Sequence, residues 1–357
     1  MKQKTLTILA IETSCDDTAV SIVNCKAKNK KLKAVFEVLS DVVASQIKIH
    51  ARYGGVYPLL AKREHQKNLP TVLEQVMKKA KNPKLDLIAV TVGPGLEPCL
   101  WQGINFAKDL SKKLKIPIIP INHIEAHIFA NWLNQEQQIM NNQQLFPAIA
   151  LIVSGGHTQL VMIKDFGKYK ILGETKDDAA GECFDKTARI LGLEYPGGPA
   201  IETKASKANR GPSSIILPRP MIHQKNYDFS FSGLKTAVLY HYRQQSLKTK
   251  KSQKYIKAMA AEIQNAIIDV LISKTFQAVQ DYQVKTIILG GGVTANNELR
   301  KRFRQQAKKF KICLLIPDKK HSTDNAVMIA ITGYFQYLKN KGKNPGRIEA
   351  KANLRLK

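Results

Sequence analysis

Acidic residues are scarce in this sequence. Its 28 aspartate and glutamate residues stand against 56 lysine and arginine residues, which gives a formal net charge of +28. Such a surplus of positive charge favours a polyanionic partner such as nucleic acid, although a lysine-rich proteome would raise the charge of every surface in the same way. Dense basic runs at 300–311 and 339–357 are the candidates for contact with a phosphate backbone.

Paired cysteines and long apolar runs are also missing. The five cysteines show no paired spacing, which argues against a disulfide framework or a zinc ribbon and favours a reducing cytoplasm. No apolar run reaches the roughly 18 residues that a membrane span requires. The apolar run from Leu6 to Ile11 is interrupted by Glu12, so we expect no signal peptide. A hydrophobic fraction of 44% in 357 residues predicts a soluble protein with room for two domains.

Two similar β-hairpins are predicted, one near the start of the chain and one near its middle. Apolar strands at 6–11 and 18–23 flank a polar turn, and strands at 148–153 and 159–163 flank a Ser-Gly-Gly-His turn. In each half, strands and helices then alternate, and buried strands run into glycine-rich turns. The pattern predicts an α/β protein with an internal duplication and a ligand at the strand ends. A solvated insertion at 134–147 is predicted to separate the halves, and a last helix at 325–338 to return to the first.

Two histidines, His123 and His127, lie four residues apart in a predicted helix. Their rings then project from one face and can share a metal ion, although a solvated or core-lining pair remains the common alternative. The acidic segment 322–325 offers a third ligand. Glu125 lies two residues from each histidine, about 200° around the helix, so it points away from such an ion. This geometry argues against a His-Glu-x-x-His peptidase.

Glycine-rich and acidic turns supply the other candidate sites. Three consecutive glycines at 290–292, followed by a helix near Asn296, favour nucleotide binding over a structural turn, because free helix amides bind phosphate. The turn at 154–158 adds serine, histidine and threonine donors to two glycines. Asp16 and Asp17 lie in the corresponding turn of the first hairpin, where carboxylates can hold water or accept a proton. Turn or capping chemistry alone stays open for each of these segments.

At these residues the sequence resembles the universal tRNA threonylcarbamoyltransferases, the TsaD family of bacteria, once taken for O-sialoglycoprotein endopeptidases. The matching segments are ordered along nearly the whole chain: 11–18, 45–46, 50, 53–56, 93–96, 122–127, 153–158, 178–186, 195–199, 229–235, 290–296 and 323–325. The departures are few. Asp17 stands where the family usually has glutamate, Leu59 replaces a common glutamate, and Ser322 replaces a common cysteine.

The resemblance implies the actin-like ATPase (ASKHA) fold of sugar kinases, in which two duplicated α/β domains surround a nucleotide cleft. The corresponding domains would be residues 1–133 with 326–357, and residues 148–325. It also implies transfer of a threonylcarbamoyl group from threonylcarbamoyl-adenylate to the N6 amine of the adenosine 3′ of the anticodon. The partners expected from the family are the tRNA anticodon stem-loop, a TsaB-like paralogue and a TsaE-like ATPase.

Site residues are carried over from the family by position. His123, His127 and Asp324 would bind one divalent metal ion, with iron favoured and zinc possible, because imidazole and carboxylate suit both. The adenylate would be bound by Ile152, Val153, Ser154, Gly155, Gly156, Asp185, Gly198 and Asn296. Asp16 is the candidate for orienting the incoming amine or relaying its proton.

Three other functions fit part of this pattern. A small-molecule kinase of the same fold would use the glycine turns for ATP and would need no histidine-bound metal. A zinc peptidase would use the histidines but conflicts with the position of Glu125. A non-catalytic RNA-binding scaffold would explain the charge but would leave the predicted turns without a role. Metal bound by His123 and His127 counts against the kinase, and loss of tRNA modification with tRNA binding intact counts against the scaffold.

Overall fold

The computed structural model describes residues 5–27, 34–133, 145–208, 215–340 and 346–356. The chain divides into two compact units, Met1–Gln138 with Thr323–Leu356, and Ile139–Ser322. Most of the predicted insertion at 134–147 lies outside the described residues, since these resume at residue 145. The domain boundaries given above therefore stay a prediction.

The first unit is built on a five-stranded sheet of order β3-β2-β1-β4-β5. Its strands are β1 (Thr5–Glu12), β2 (Asp17–Ala27), β3 (Ala34–Ser45), β4 (Leu87–Gly93) and β5 (Ile118–Asn122). Strands β1 to β3 are antiparallel neighbours, whereas β4 and β5 run parallel to β1. Because β1 is the central strand and nearly all of it is buried, the turn that follows it is held by the core.

Helices cover both faces of this sheet. They are α1 (Ile47–His50), α2 (Pro58–Lys79), α3 (Glu97–Leu114), α4 (His123–Phe129) and α11 (Ala326–Lys339), with short 3-10 turns at Ala51–Tyr53 and Ala130–Trp132. Apolar residues of α2 and α3 pack on one face. On the other face, α11 contacts β1, β2 and α4. Gly333 allows this approach, because a Cβ atom there would lie 2.7 Å from the Cβ of Ala89 on β4.

The second unit repeats the same sheet topology, in the order β8-β7-β6-β9-β10. Its strands are β6 (Ala148–Val153), β7 (Thr158–Asp165), β8 (Lys168–Glu174), β9 (Thr286–Gly290) and β10 (Cys313–Leu315). Here too the first hairpin is antiparallel, while β9 and β10 run parallel to β6. The repeated order and directions confirm the α/β fold with an internal duplication that the two hairpins predicted.

A long buried helix forms the core of the second unit. The helices are α5 (Ala180–Ile190), α6 (Gly197–Ala205), α7 (Ser232–Arg243), α8 (Leu247–Lys251), α9 (Gln253–Asp281) and α10 (Asn297–Phe310), with 3-10 turns at Gly292–Ala295 and Lys319–His321. Helix α9 has 29 residues and packs against α6 and β6. Neither α9 nor any other helix within the described ranges is long and apolar enough to cross a membrane.

Candidate metal and nucleotide sites

Helix α4 places the two histidines at the carboxyl end of β5. Asn122, the last residue of β5, caps the helix, since its side-chain oxygen accepts hydrogen bonds from the amides of Ile124 (2.8 Å) and Glu125 (3.1 Å). His123 and His127 follow on successive turns, both buried, with ring centroids 4.6 Å apart. The cap fixes where the helix begins and so fixes the face on which both rings lie.

Asp324 lies opposite these rings, in the segment just before α11. Its Oδ1 atom is 3.4 Å from Nε2 of His123 and 3.2 Å from Nε2 of His127. The three possible ligand atoms all lie within 4.8 Å of one another. Although burial alone would raise it, the two neighbouring histidines lower the pKa of Asp324 well below its usual value. Two imidazoles and one carboxylate converging in this way form a candidate metal site.

The hydrogen bonding of His127 fits a cation at this point. Its ring is fully buried; among the described residues neither ring nitrogen has a hydrogen bond of good geometry, and Nε2 has only the 3.2 Å electrostatic contact with Oδ1 of Asp324. A buried polar atom left without a partner costs about 1–3 kcal/mol. Burial also lowers the pKa of His127, which favours the neutral ring with a lone pair available for a metal. The donor set therefore suits a divalent ion better than it suits the protein alone.

Glu12 is the residue of this site that the sequence analysis did not single out. It is fully buried at the end of β1, where Oε2 accepts hydrogen bonds from Nδ1 of His123 (3.0 Å) and the hydroxyl of Thr91 (2.6 Å). Its other oxygen, Oε1, accepts from the amide of Ser14 (2.5 Å). Proton donation from Nδ1 leaves Nε2 of His123 as the atom facing Asp324, which is the arrangement found for metal-binding histidines.

The carboxylates of Glu12 and Asp324 both stabilise the charged form of His123. Although burial opposes the charged form, Glu12 and Asp324 raise the pKa of His123 to about 10. Without a metal ion, a charged His123 ring would compensate the buried carboxylate of Glu12 and the half-buried carboxylate of Asp324. The one sequence signal for Glu12 was its position, at the end of an otherwise apolar strand. Burying a carboxylate there without a partner would carry a large desolvation cost, so a partner is expected.

Asp16 lies in the turn between β1 and β2, near this site. Its carbonyl accepts a hydrogen bond from the amide of Gln46 (3.0 Å), and His65 of α2 holds the preceding residue through the carbonyl of Cys15 (3.0 Å). Burial and the charge of Asp324 both raise the pKa of Asp16, although Cys15 opposes them with a hydrogen bond. The structure thus brings the carboxyl of Asp16 within electrostatic range of the proposed metal ligands.

In the second unit, the predicted adenylate-binding residues gather at the carboxyl ends of β6 and β9. Ser154 closes the turn after β6, because its amide donates to the carbonyl of His157 (2.8 Å) and its hydroxyl accepts from the amide of His157 (3.1 Å). Gly291 lies directly against this turn: its φ is +91°, and a Cβ atom there would be 2.4 Å from the carbonyl oxygen of Val153. Close backbone packing therefore requires glycine at position 291.

Three other glycines of the predicted site are not required by the fold. At Gly155, Gly156 and Gly198, an added Cβ would meet no atom within 4 Å, and φ is not in the left-handed region. Nothing in the described protein explains why these positions lack a side chain. A flat ligand that packs on the backbone would explain it.

The remaining predicted residues join neighbouring elements. Asp185 of α5 accepts a hydrogen bond from the amide of Gly197 (2.7 Å), at the start of α6. Asn296 caps α10 by accepting from the amide of Leu299 (3.0 Å), and it donates to Gln264 of α9 (2.8 Å). The capping role left open by the sequence is thus present, and it fixes the side chain of Asn296 beside the triple-glycine turn.

Glu202 was missed by the sequence analysis. This residue of α6 accepts hydrogen bonds from the amide (2.8 Å) and the side chain (2.6 Å) of Asn297, and so joins α6 to the start of α10. An acidic residue on an exposed helix carries no sequence signal of such a contact.

Comparison with known proteins agrees with this geometry. A family model described as tRNA N6-adenosine threonylcarbamoyltransferase, TsaD, matches residues 37–331. A Thermosipho africanus protein of that name is 45% identical over 351 residues, covering 98% of this chain and 99% of its own. A Bacillus subtilis protein of that name is 45% identical over 341 residues, covering 95% and 92%. The chain belongs to the TsaD family. The resemblance read from the sequence motifs is confirmed.

Two solved structures with low sequence identity to this chain share its fold. A full-length HypF in its phosphate- and nucleotide-bound form aligns with a TM-score of 0.57 at 12% identity. The alignment covers 96% of this chain but 57% of that HypF chain. HypF from T. kodakarensis aligns with a TM-score of 0.56 at 13% identity. Together with the repeated sheet, these matches support the duplicated actin-like fold, and the TsaD matches favour neither the kinase nor the peptidase alternative.

Proposed function

We propose that this chain transfers the threonylcarbamoyl group of threonylcarbamoyl-adenylate to the N6 amine of the adenosine 3′ of the anticodon, in tRNAs that read codons beginning with A. The observation that carries the proposal is the convergence of His123, His127 and Asp324 in a member of the TsaD family. A carbamoyl transfer needs a held acyl group, stabilisation of the charge that develops on the adenylate, and an acceptor for the proton of the amine.

His123, His127 and Asp324 would hold one divalent ion, iron by preference and zinc as the alternative. When bound, such an ion would supply Lewis-acid stabilisation of the negative charge that develops during the transfer. Glu12 orients the ring of His123 by accepting a hydrogen bond from its Nδ1–H group, as the 3.0 Å contact supports. Asp16, whose pKa is raised mainly by burial, would orient the incoming amine or accept its proton.

The adenylate would be bound by the turns of the second unit. The backbone from Ile152 to Gly156 offers amides and an open glycine surface. Gly198 extends that surface on α6, while Asp185 and Asn296 fix the elements on either side of it. This assignment is supported by the open space at the glycines, for which the fold itself gives no reason.

The assembly is also part of the proposal. A TsaB-like paralogue and a TsaE-like ATPase would work with this chain on the tRNA anticodon stem-loop. A tRNA substrate and five free cysteines support a cytoplasmic location. The repeated sheets support two related domains, residues 1–133 with 326–357 and residues 148–325, joined by the insertion at 134–147.

The reaction can be tested by nucleoside analysis. Unmodified tRNA is incubated with the purified protein, its partner proteins and threonylcarbamoyl-adenylate, and the digested nucleosides are measured by mass spectrometry. We expect threonylcarbamoyl-adenosine in the complete mixture and none when this chain is omitted. Absence of product with partners shown to be competent with another family member would refute the transferase assignment. Phosphorylation of a small molecule by ATP would then support the kinase.

The glycine surface gives a second prediction. Gly156→Val is expected to weaken adenylate binding at least tenfold, because the added side chain fills the space left for the ligand, while the melting temperature stays unchanged. Gly291→Val is the matched comparison: it is expected to lower the melting temperature, because its Cβ meets the carbonyl of Val153 at a strained φ. Calorimetric titration with a non-hydrolysable adenylate analogue and thermal unfolding measure the two effects. Unchanged affinity in Gly156→Val would contradict the assigned surface.

A further inference from the structure

A third basic region, besides the runs at 300–311 and 339–357, lies in α7, α8 and the start of α9. Between residues 229 and 261 the chain has seven lysine or arginine residues and no aspartate or glutamate. Six of the seven form what we call the basic surface: Arg243, Lys248, Lys250, Lys251, Lys254 and Lys257. The absence of acidic residues from this stretch means that any carboxylate partner would have to come from another part of the chain.

The charges of the basic surface are free of acidic partners. Arg243, Lys248, Lys251 and Lys254 are exposed, and Lys250 and Lys257 are half-buried. Within the part of the chain that the structure describes, none of the six forms an ion pair with a carboxylate. Their positive charge is therefore available to an anion from outside.

The local fold holds these side chains together. Ser246 caps α8 by accepting from the amide of Thr249 (3.1 Å). Lys250 turns back on α7, where its Nζ donates to the carbonyl of Arg243 (3.2 Å) and lies 5.2 Å from the ring centroid of Tyr242. Because α8 is only about 7 Å long, its three lysines lie within the spacing of a few backbone phosphates.

The basic run at 300–311 differs, because several of its charges have partners within the protein, while its role in contacting a phosphate backbone stays a prediction. Arg300 is buried and donates to the carbonyls of Thr294 (3.0 Å) and Pro317. Arg302 pairs with Asp269 of α9, and Lys301 lies 3.6 Å from Glu298. The first part of that run is therefore held by the fold, whereas Arg304, Lys308, Lys309 and Lys311 remain exposed.

We propose that the basic surface binds the phosphate backbone of the tRNA substrate, an inference that rests on the proposed function. A polyanion with regularly spaced phosphates matches a row of unpaired lysines. Tyr240, 59% exposed on α7, offers an aromatic face beside them on which a base can stack. A membrane surface fits less well, because α8 has Leu247 as its one apolar residue and so lacks the apolar face of an interfacial helix.

The test compares two triple variants of the full-length chain with equal loss of charge. Lys248→Gln, Lys251→Gln and Lys254→Gln remove exposed charges of the basic surface. Lys62→Gln, Arg63→Gln and Lys67→Gln remove three exposed charges from α2 of the other unit. Affinity for unmodified tRNA is measured between 50 and 200 mM salt, and the KM for tRNA in the transfer reaction is measured separately from the KM for the adenylate.

We expect the first variant to bind tRNA about tenfold or more weakly at low salt. The slope of log affinity against log salt should become shallower by about 2 to 3, since each lost phosphate contact contributes about 0.7 to 0.9. Its KM for tRNA should rise while its KM for adenylate does not. The α2 variant should show neither change.

Three results would overturn the inference. An unaltered slope in the first variant would place the tRNA elsewhere, and equal losses in both variants would reduce the effect to net charge. Binding of phosphatidylserine vesicles that the first variant loses, with tRNA binding intact, would assign the surface to membranes. Failure of the proposed function is distinguishable, because the wild-type protein would then form no modified nucleoside whatever its affinity for tRNA.

Discussion

His127→Ala is expected to abolish threonylcarbamoyl transfer and to weaken binding of Zn²⁺ or Fe²⁺ by more than about 100-fold. Loss of a residue that merely orients a ligand already costs about 10- to 100-fold in metal affinity, and His127 would be a ligand itself. Its Nε2 atom lies 3.2 Å from Oδ1 of Asp324, and its ring has no well-formed hydrogen bond among the described residues that could explain its burial. Removing the ring leaves two ligands, too few for a stable site.

The measurements are competition with a chromophoric chelator for Zn²⁺ and nucleoside analysis for transfer. His223→Ala is the matched control, because His223 is exposed in the second unit and should alter neither quantity. The affinity for tRNA and the melting temperature of metal-free His127→Ala should stay close to those of the wild-type protein, which separates loss of the site from loss of the fold. Full transfer activity in a His127→Ala protein shown to be free of metal would contradict the role given to this cluster.

Glu12→Gln is expected to weaken metal binding by about 10- to 100-fold while retaining the fold. The glutamine can still fill the space and accept a hydrogen bond, but it lacks the negative charge that holds the Nδ1 proton of His123. The buried carboxylate makes two further hydrogen bonds, to Thr91 and Ser14, so its position is fixed by β1 and β4 rather than by the metal. The expected loss of metal affinity therefore comes from weaker orientation of the His123 ring and from the missing negative charge.

A graded set of variants distinguishes positioning from simple stability. Thr91→Val removes one hydrogen bond to Glu12 and keeps its charge, so its loss of Zn²⁺ affinity should be smaller than that of Glu12→Gln. Glu74→Gln, on the exposed face of α2, makes the same chemical change away from the site and should have no effect. A Glu12→Gln protein that binds Zn²⁺ as tightly as the wild-type protein, with only its melting temperature lowered, would show that Glu12 is purely structural.

Features that depend only on neighbouring residues could be predicted from the sequence. The four-residue spacing of His123 and His127 predicts a shared helical face, because the period of an α-helix is fixed by its own hydrogen bonds. Apolar runs on either side of a short polar turn predicted the two hairpins, and the repeated sheet order confirms the duplication. Three consecutive glycines predicted a close backbone approach to a nucleotide, which stays a prediction, whereas the close approach of Gly291 to β6 was found only in the structure.

Other features depend on which residues the fold brings together. Glu12 reads as an interruption of an apolar run until the sheet places it beside His123 and Thr91. Arg300 reads as a surface charge until the fold buries it against two carbonyl groups. In both cases the partner is distant in the sequence, and the helix and strand repeats relate only residues that are close in the sequence.

By itself, then, the sequence determined the elements, their duplication, the family and the residue types of the candidate sites, since these follow from local spacing and composition. Only the tertiary structure set the distances between Asp324, which the sequence offered as a third ligand, and the histidines. It alone also decided that a buried carboxylate orients one of them and which lysines remain unpaired. The physical reason is that hydrogen bonds and ion pairs form between atoms about 3 Å apart in space. Chain folding, rather than sequence separation, sets those distances.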